Sequence, residues 1–186
     1  IVAGHQPDFY HAGVFAKVIA AHALAASHRG QAVFLTVDSD VPKTTRVAIP
    51  QATASSLRRV DVPIPGCEPQ RPFEAQPRVP RVIWLQFFAS LSALYEFHDR
   101  SLLPTYARAW LTTADASPSY CAAFDRAQQA AENALGLTGG REFRMSELCT
   151  TPEFRSFAAY LLLNAPRVVE TYNAARTDYR RRHRVH

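Results

Sequence analysis

The chain has 186 residues, 47% of them apolar and 20% charged, so it can bury a sizeable core and is neither disordered nor fibrous. Its net charge of +5 is concentrated at one end, where Arg176, Arg180, Arg181, Arg182 and Arg184 are set against Asp178 alone. Such a run reads as a solvated helix end. Without interleaved aromatics or a nucleic-acid motif it gives no reason to expect nucleic acid as a partner.

In chain order, Ile1-Val2-Ala3 is a short apolar strand, and Gly4-His5-Gln6-Pro7-Asp8-Phe9-Tyr10-His11-Ala12-Gly13 is the loop that follows it. From Gly13 to His28 apolar residues recur at helical spacing, with Val14, Val18, Ala21 and Ala25 on one face. Gly30 ends that helix. Ala32-Val33-Phe34-Leu35-Thr36-Val37 is then a second buried strand, closing at Asp38-Ser39-Asp40. A strand, a helix and a strand in this order predict a Rossmann-like parallel sheet with a βαβ start.

Val47-Ala48-Ile49-Pro50 and Leu57 to Ile64 read as short strands that could extend the sheet on one side. Residues 63–80 hold six of the thirteen prolines and read as an irregular segment. Beyond residue 81 the pattern is helical: Val82 to His98, Leu102 to Leu111, then Ser117-Pro118 opening a helix to about Leu135. Thr151-Pro152 opens another to Asn164, and Pro166 a last one to about Arg182. Phe154, Phe157, Ala158, Leu161 and Leu162 on one helix, with Val168, Val169, Tyr172 and Tyr179 on the next, predict helix-to-helix core. The expected layout is thus an α/β unit over residues 1–80, including the Pro-rich 63–80, and a mainly α-helical half over 81–186 packed on it as one continuous domain. The chain starts at Ile1 and stops in mid-pattern, so it reads as part of a longer protein.

Cys67, Cys121 and Cys149 form no CxxC pair, which points to free thiols and a cytoplasmic setting. The longest apolar run, residues 82–97, falls short of the ~20 residues of a membrane span, so no membrane is expected.

Parallel sheets bind ligands beyond the carboxyl ends of their strands, and here those loops are dense in polar side chains. The helix start with Gly13 would suit a phosphate or carboxylate, with Gly13 allowing close backbone approach, Lys17 one turn on, and Gly4 in the same substrate-binding set. His5 and His11 are the candidate acid or base, histidine being the side chain suited to proton exchange near neutral pH, with Gln6 at the strand mouth. Asp38 and Asp40, at alternate positions of a strand end, would orient an acceptor's amine or hydroxyls, hold a divalent metal, or cap the loop. Ser39 and Lys43 complete the substrate-binding set. No dinucleotide or Walker A pattern occurs, so the cofactor is left open between a nucleotide, a metal and none, with no metal ligands assigned. His11-Ala12-Gly13-Val14 approaches the His-x-Gly-His pattern of nucleotidyltransferases, with Val14 in place of the second histidine.

Gly4-His5-Gln6-Pro7, Phe9, Gly13 and Lys17, followed by Asp38-Ser39-Asp40, resemble the N-terminal core of the bacillithiol-biosynthesis cysteine-adding enzymes. The likeness covers roughly the first forty-five residues. Ser39 stands where that family has a histidine, and the later chain is similar to longer bacterial proteins with the same opening. The resemblance implies a Rossmann-like core and a ligase or transferase that joins groups on a small anionic substrate, with His5, Gln6, Gly13, Asp38 and Asp40 at its site. The competing expectation is a non-catalytic module that binds a nucleotide or sugar phosphate through the same loop. Neither reading fixes an oligomeric state.

Overall fold

The computed structural model describes residues 1–9, 12–52, 56–94, 101–115 and 119–184. It is an α/β protein with a three-stranded parallel sheet and a mainly helical second half. The chain divides into two compact units, Ile1–Ser146 and Glu147–His186.

The first unit begins as the sequence predicts. β1 (Val2–His5) leads into α1 (Ala12–Ser27) and then β2 (Val33–Thr36), and the two strands pair in parallel with His5 opposite Thr36. α1 buries Val18, Ala21 and Ala25, a stripe at helical spacing. Gly4 lies so close to β2 that a Cβ there would stand 2.9 Å from the Leu35 carbonyl oxygen, so only glycine fits.

The third strand, β5 (Arg141–Arg144), pairs in parallel with the free side of β2, giving the order β1-β2-β5. It lies inside the half whose sequence reads as helices only. Four residues with three charges carry no strand signature, and it is the pairing with β2 that makes them a strand.

Between β2 and β5 come the remaining elements of this unit. β3 (Arg46–Ala52) and β4 (Leu57–Pro63) are antiparallel strands that form their own two-stranded sheet. The expectation that they extend the main sheet on one side is not met, because they pair only with each other. A 3₁₀ turn at Phe73–Ala75 follows, then α2 (Arg81–Leu94), α3 (Leu103–Asp115) and α4 (Tyr120–Ala134). Ser119 caps α4 by accepting from the Ala122 N–H, whereas the expected cap Ser117 and Pro118 lie outside the described residues. The end of the first long helix, expected to reach His98, also lies outside them.

The hydrophobic core sits among the hairpin, the 3₁₀ turn and α2 to α4. It is built on Ile49, Phe73, Trp84, Phe87, Trp110, Tyr120 and Phe124. Trp110 is fully buried, with Trp84 4.6 Å away and Tyr120 5.2 Å away between ring centroids. Pro7 is buried, and Phe9 stacks on Trp110 at 5.9 Å, so the loop after β1 is fastened to this core through Phe9.

In alternate register, Ala3, Phe34 and Glu142 share one face of the sheet with His5, Thr36 and Arg144. α1 and α4 both lie over it. His22 of α1 meets the Phe34 ring at 5.1 Å, and Asp125 of α4 accepts from Thr36 and from Arg144.

A short helix, α5 (Met145–Leu148), follows β5 directly. The second unit carries α6 (Pro152–Leu163) and α7 (Ala165–His183). Thr151 caps α6 through the Phe154 N–H, as its Thr-Pro start signal predicts. The apolar stripes expected to form helix-to-helix core are not buried: Phe157, Leu162, Val169, Tyr172 and Tyr179 are each more than half exposed. Among the described residues, no helix is long and apolar enough to cross a membrane.

Candidate functional site

The loop after β1 is shaped by local bonds. The Asp8 N–H donates to the Gln6 carbonyl at 2.8 Å and Oδ1 of Asp8 accepts from the Phe9 N–H at 2.8 Å, an Asx turn. Nδ1 of His5 donates to the Gln6 carbonyl at 3.0 Å, because a carbonyl can only accept. Asp8 is pushed to a higher pKa by burial, against the lowering effects of the Phe9 N–H and the His5 and Lys43 charges.

Gln6 connects the two loops. Its side-chain amide is buried and donates to Oδ2 of Asp40 at 2.5 Å, while Oδ1 of Asp40 accepts from the Val41 N–H at 2.8 Å. These bonds, Gln6 first, hold the Asp40 carboxyl below the usual carboxylate range, with Lys43 adding to the effect.

Asp38 is placed differently. Its side chain is 1% exposed, and both oxygens are taken by Ser146 at the start of α5, through the backbone N–H at 2.9 Å and the hydroxyl at 2.5 Å. The Glu74 N–H of the 3₁₀ turn donates to its carbonyl, and the Phe73 N–H to that of Asp40. The two aspartates, expected to face one ligand from alternate positions, thus face separate partners. Ser39 is exposed between them. Among the described residues, no three His, Cys, Asp or Glu side chains converge as metal ligands.

Four of the residues singled out in the sequence, Gly4, His5, Gln6 and Lys17, line one cavity of about 50 Å³ on the face covered by α1 and α4. Beside Thr36 of β2, its other polar walls are four: Asp125, Gln128 and Glu132 of α4 and Glu142 of β5. Sequence reasoning missed all four. The legible signal was Asp125, Gln128 and Glu132 at i, i+3 and i+7, a polar stripe on a helix that also carries a strong apolar one. Gly13 and Lys43 are exposed near the same end of the sheet, and His11 lies outside the described residues.

The electrostatics of this cavity are those of crowded acids. Burial raises the pKa of Asp125, partly offset by Arg144, which donates at 2.7 Å, and by Thr36 at 3.1 Å. Burial raises that of Glu132 as well, against the Gln128 amide at 3.0 Å and His22 at 3.8 Å. Glu142 is moved furthest, to about 8, by burial and then by repulsion from Asp125 and Glu132. A carboxyl near neutrality beside a lysine and a histidine can both give and take a proton.

No protein-family profile matches this sequence, and no curated protein sequence matches it either.

Proposed function

We propose that this chain is a ligase- or transferase-like enzyme domain that acts on a small anionic substrate at the carboxyl ends of β1 and β2. One observation carries this reading: His5, Gln6 and Lys17 from the first strand and helix share a cavity with Asp125, Glu132 and Glu142. At about 50 Å³ the cavity has room for about three or four water-sized groups, enough for the reacting end of a substrate rather than its whole body. Lys17 and Lys43 attract the anionic part, which lies over the loops with Gly13 and Ser39. Gln6 fixes the loop geometry by holding Asp40. Glu142 and His5 move protons, and an acceptor's amine is drawn by Asp125 and Glu132. The likeness of the first loop to the bacillithiol cysteine-adding enzymes supports the same class, and the free thiols support a cytoplasmic setting. Whether a nucleotide or a divalent metal assists belongs to the same test.

The rival reading is a binding module without turnover. The engagement of both acidic side chains within the fold favours it, since Asp38 is held by Ser146 and Asp40 by Gln6.

A thermal-shift screen against amino acids, sugar phosphates, nucleotides and divalent metals tests both, because a ligand of the folded state raises the melting temperature. The enzyme reading expects a hit that is lost in Lys17→Ala, and turnover of that ligand whose pH profile changes in Glu142→Gln. A hit without turnover leaves the binding module. A hit untouched by Lys17→Ala and His5→Ala removes the site from this cavity.

A further inference from the structure

α7 is 19 residues long and buries none of them, although a helix of that length is marginal in water without packing. Its apolar residues are nevertheless spaced for a helical partner. Ala165, Val168, Tyr172, Ala175 and Tyr179 follow one another at alternating steps of three and four, the a and d positions of a heptad. Phe154, Ala158 and Leu161 continue the same alternation back through α6 without a break. Tyr172 and Tyr179 are 64% and 59% exposed, and Phe157, Leu162 and Val169, beside this seam, are exposed as well. Such spacing fits a second seam of the same kind, knob into hole.

α6 and α7 do not supply that partner to each other. Asn164 stands between them, its N–H donating to the Tyr160 carbonyl at 3.1 Å and its carbonyl accepting from the Val168 N–H at 3.0 Å. Both bonds span four residues, as inside a helix, so the chain runs on in one direction and does not fold back. The helix-to-helix core that the two stripes predict therefore cannot form between these two helices.

Charge and area point to a second copy set antiparallel. Arg176, Arg180, Arg181 and Arg182 crowd the last turns of α7 against Asp178, whose carboxylate already meets Arg181 at 2.9 Å and Arg182 at 2.7 Å. A parallel pair would lay these arginines against their own copies, and like charges so placed repel. An antiparallel pair brings them to the first turn of α6, where Glu153 stands. With Phe154 opposite Tyr179, Leu161 faces Tyr172 and Ala165 faces Val168, and the two-fold axis passes near Asn164 of both copies. The six large apolar residues on or beside the seam, at about 100 Å² each, supply about 600 of the roughly 800 Å² per partner that a stable complex buries.

We propose that α6 and α7 are a self-association surface, through which two copies of this chain pair antiparallel along the heptad seam into a two-fold dimer. The inference does not depend on the proposed catalytic reading.

Sedimentation equilibrium of the whole chain tests it. We expect a reversible shift from 20.7 kDa to twice that mass, with a Kd of about 10 µM or tighter. The Tyr172→Glu, Tyr179→Glu double variant puts charge on two exposed seam positions and should weaken the dimer about a hundredfold or more. Both tryptophans lie in the core of the first unit, so unchanged tryptophan emission shows that the variant is still folded. If that emission changes, Val169→Glu, at a position 56% exposed, takes its place, with a loss of at least about tenfold expected. A nitroxide on Arg181→Cys in a Cys149→Ser background reads the orientation, with spins about 40 Å apart in the antiparallel pair and within about 20 Å in a parallel one. A parent chain that stays monomeric at about 200 µM overturns the proposal. So does a dimer of unchanged affinity in the variants, or the short spin distance.

Discussion

Asp38 and Ser146 lie 108 residues apart in sequence and are joined twice, the Ser146 N–H donating to Oδ1 at 2.9 Å and its hydroxyl to Oδ2 at 2.5 Å. This pair locks the end of β2 to the start of α5, immediately after the strand that completes the sheet. A buried carboxylate satisfied in this way is expensive to disturb. Asp38→Ala should cost about 2–3 kcal/mol of stability, and Ser146→Ala somewhat less because the backbone N–H remains. Urea unfolding measures both. Unchanged midpoints, with loss of ligand binding instead, would return Asp38 to the substrate site.

Glu142 makes stability depend on pH with a definite sign. Its carboxyl titrates near 8 in the folded chain against an ordinary value of 4.5, so between those values the folded state holds the extra proton. Its contribution is therefore fully present below about pH 4.5 and is lost as pH rises through about 8. The upward shifts of Asp125 and Glu132 act in the same direction at the lower end of this window. Glu142→Gln should flatten the decline and be more stable than the parent at pH 9. Unfolding midpoints across pH 5 to 9 would show it, and a parent protein that gains stability over this range would contradict it.

Gln6 sets the charge state of the second loop. The Asp40 carboxyl is held low first by the Gln6 amide. In Gln6→Ala the Asp40 titration, followed by carboxyl carbon chemical shift, should move up toward the ordinary range. An unmoved titration would mean that the Val41 N–H and Lys43 alone hold it.

Gly4→Ala places a methyl group 2.9 Å from the Leu35 carbonyl oxygen and 3.3 Å from its Cβ. Both belong to β2, and a backbone atom cannot rotate away. The variant should lose about 1–3 kcal/mol, readable as a lower melting temperature. A neutral result would show that β1 can slide on β2.

Two of the thiols should be slow toward disulfide reagents. Burial pushes Cys67 up to about 11 and Cys121 up to about 12, with nearby carboxylates adding to both. At pH 8 Cys67 is thiolate in about one molecule in a thousand, and only the thiolate reacts. Ellman titration should give full labelling of both only after unfolding. Rapid labelling of all three cysteines in the folded chain would contradict this.

The parallel start was legible because each of its parts is local. Ala and Val at helical spacing make α1, β-branched and aromatic residues make β2, and a crossover that carries a whole helix lets the two strands run parallel. Pro7 and Phe9 could be read as a turn, but not as anchors, since the core that receives Phe9 lies some eighty to one hundred residues further along, at Phe87 and Trp110. The cap signal at Thr151 succeeded for the same local reason. The exposed stripes of α6 and α7 show the limit of periodicity, which states that a face is apolar and not what covers it.

By itself the sequence determined the βαβ opening, the helical second half and the cluster of His5, Gln6, Lys17 and Asp40 at one end of the sheet, because those follow from short-range patterns and strand direction. Only the tertiary structure decided that Arg141–Arg144 is a strand, that Asp38 serves Ser146, and that Asp125, Glu132 and Glu142 close the cavity beside His5. Those outcomes depend on hydrogen bonds and burial between segments about a hundred residues apart. Charged side chains give no local sign that such burial awaits them, since it is the neighbours brought by folding that move their protons.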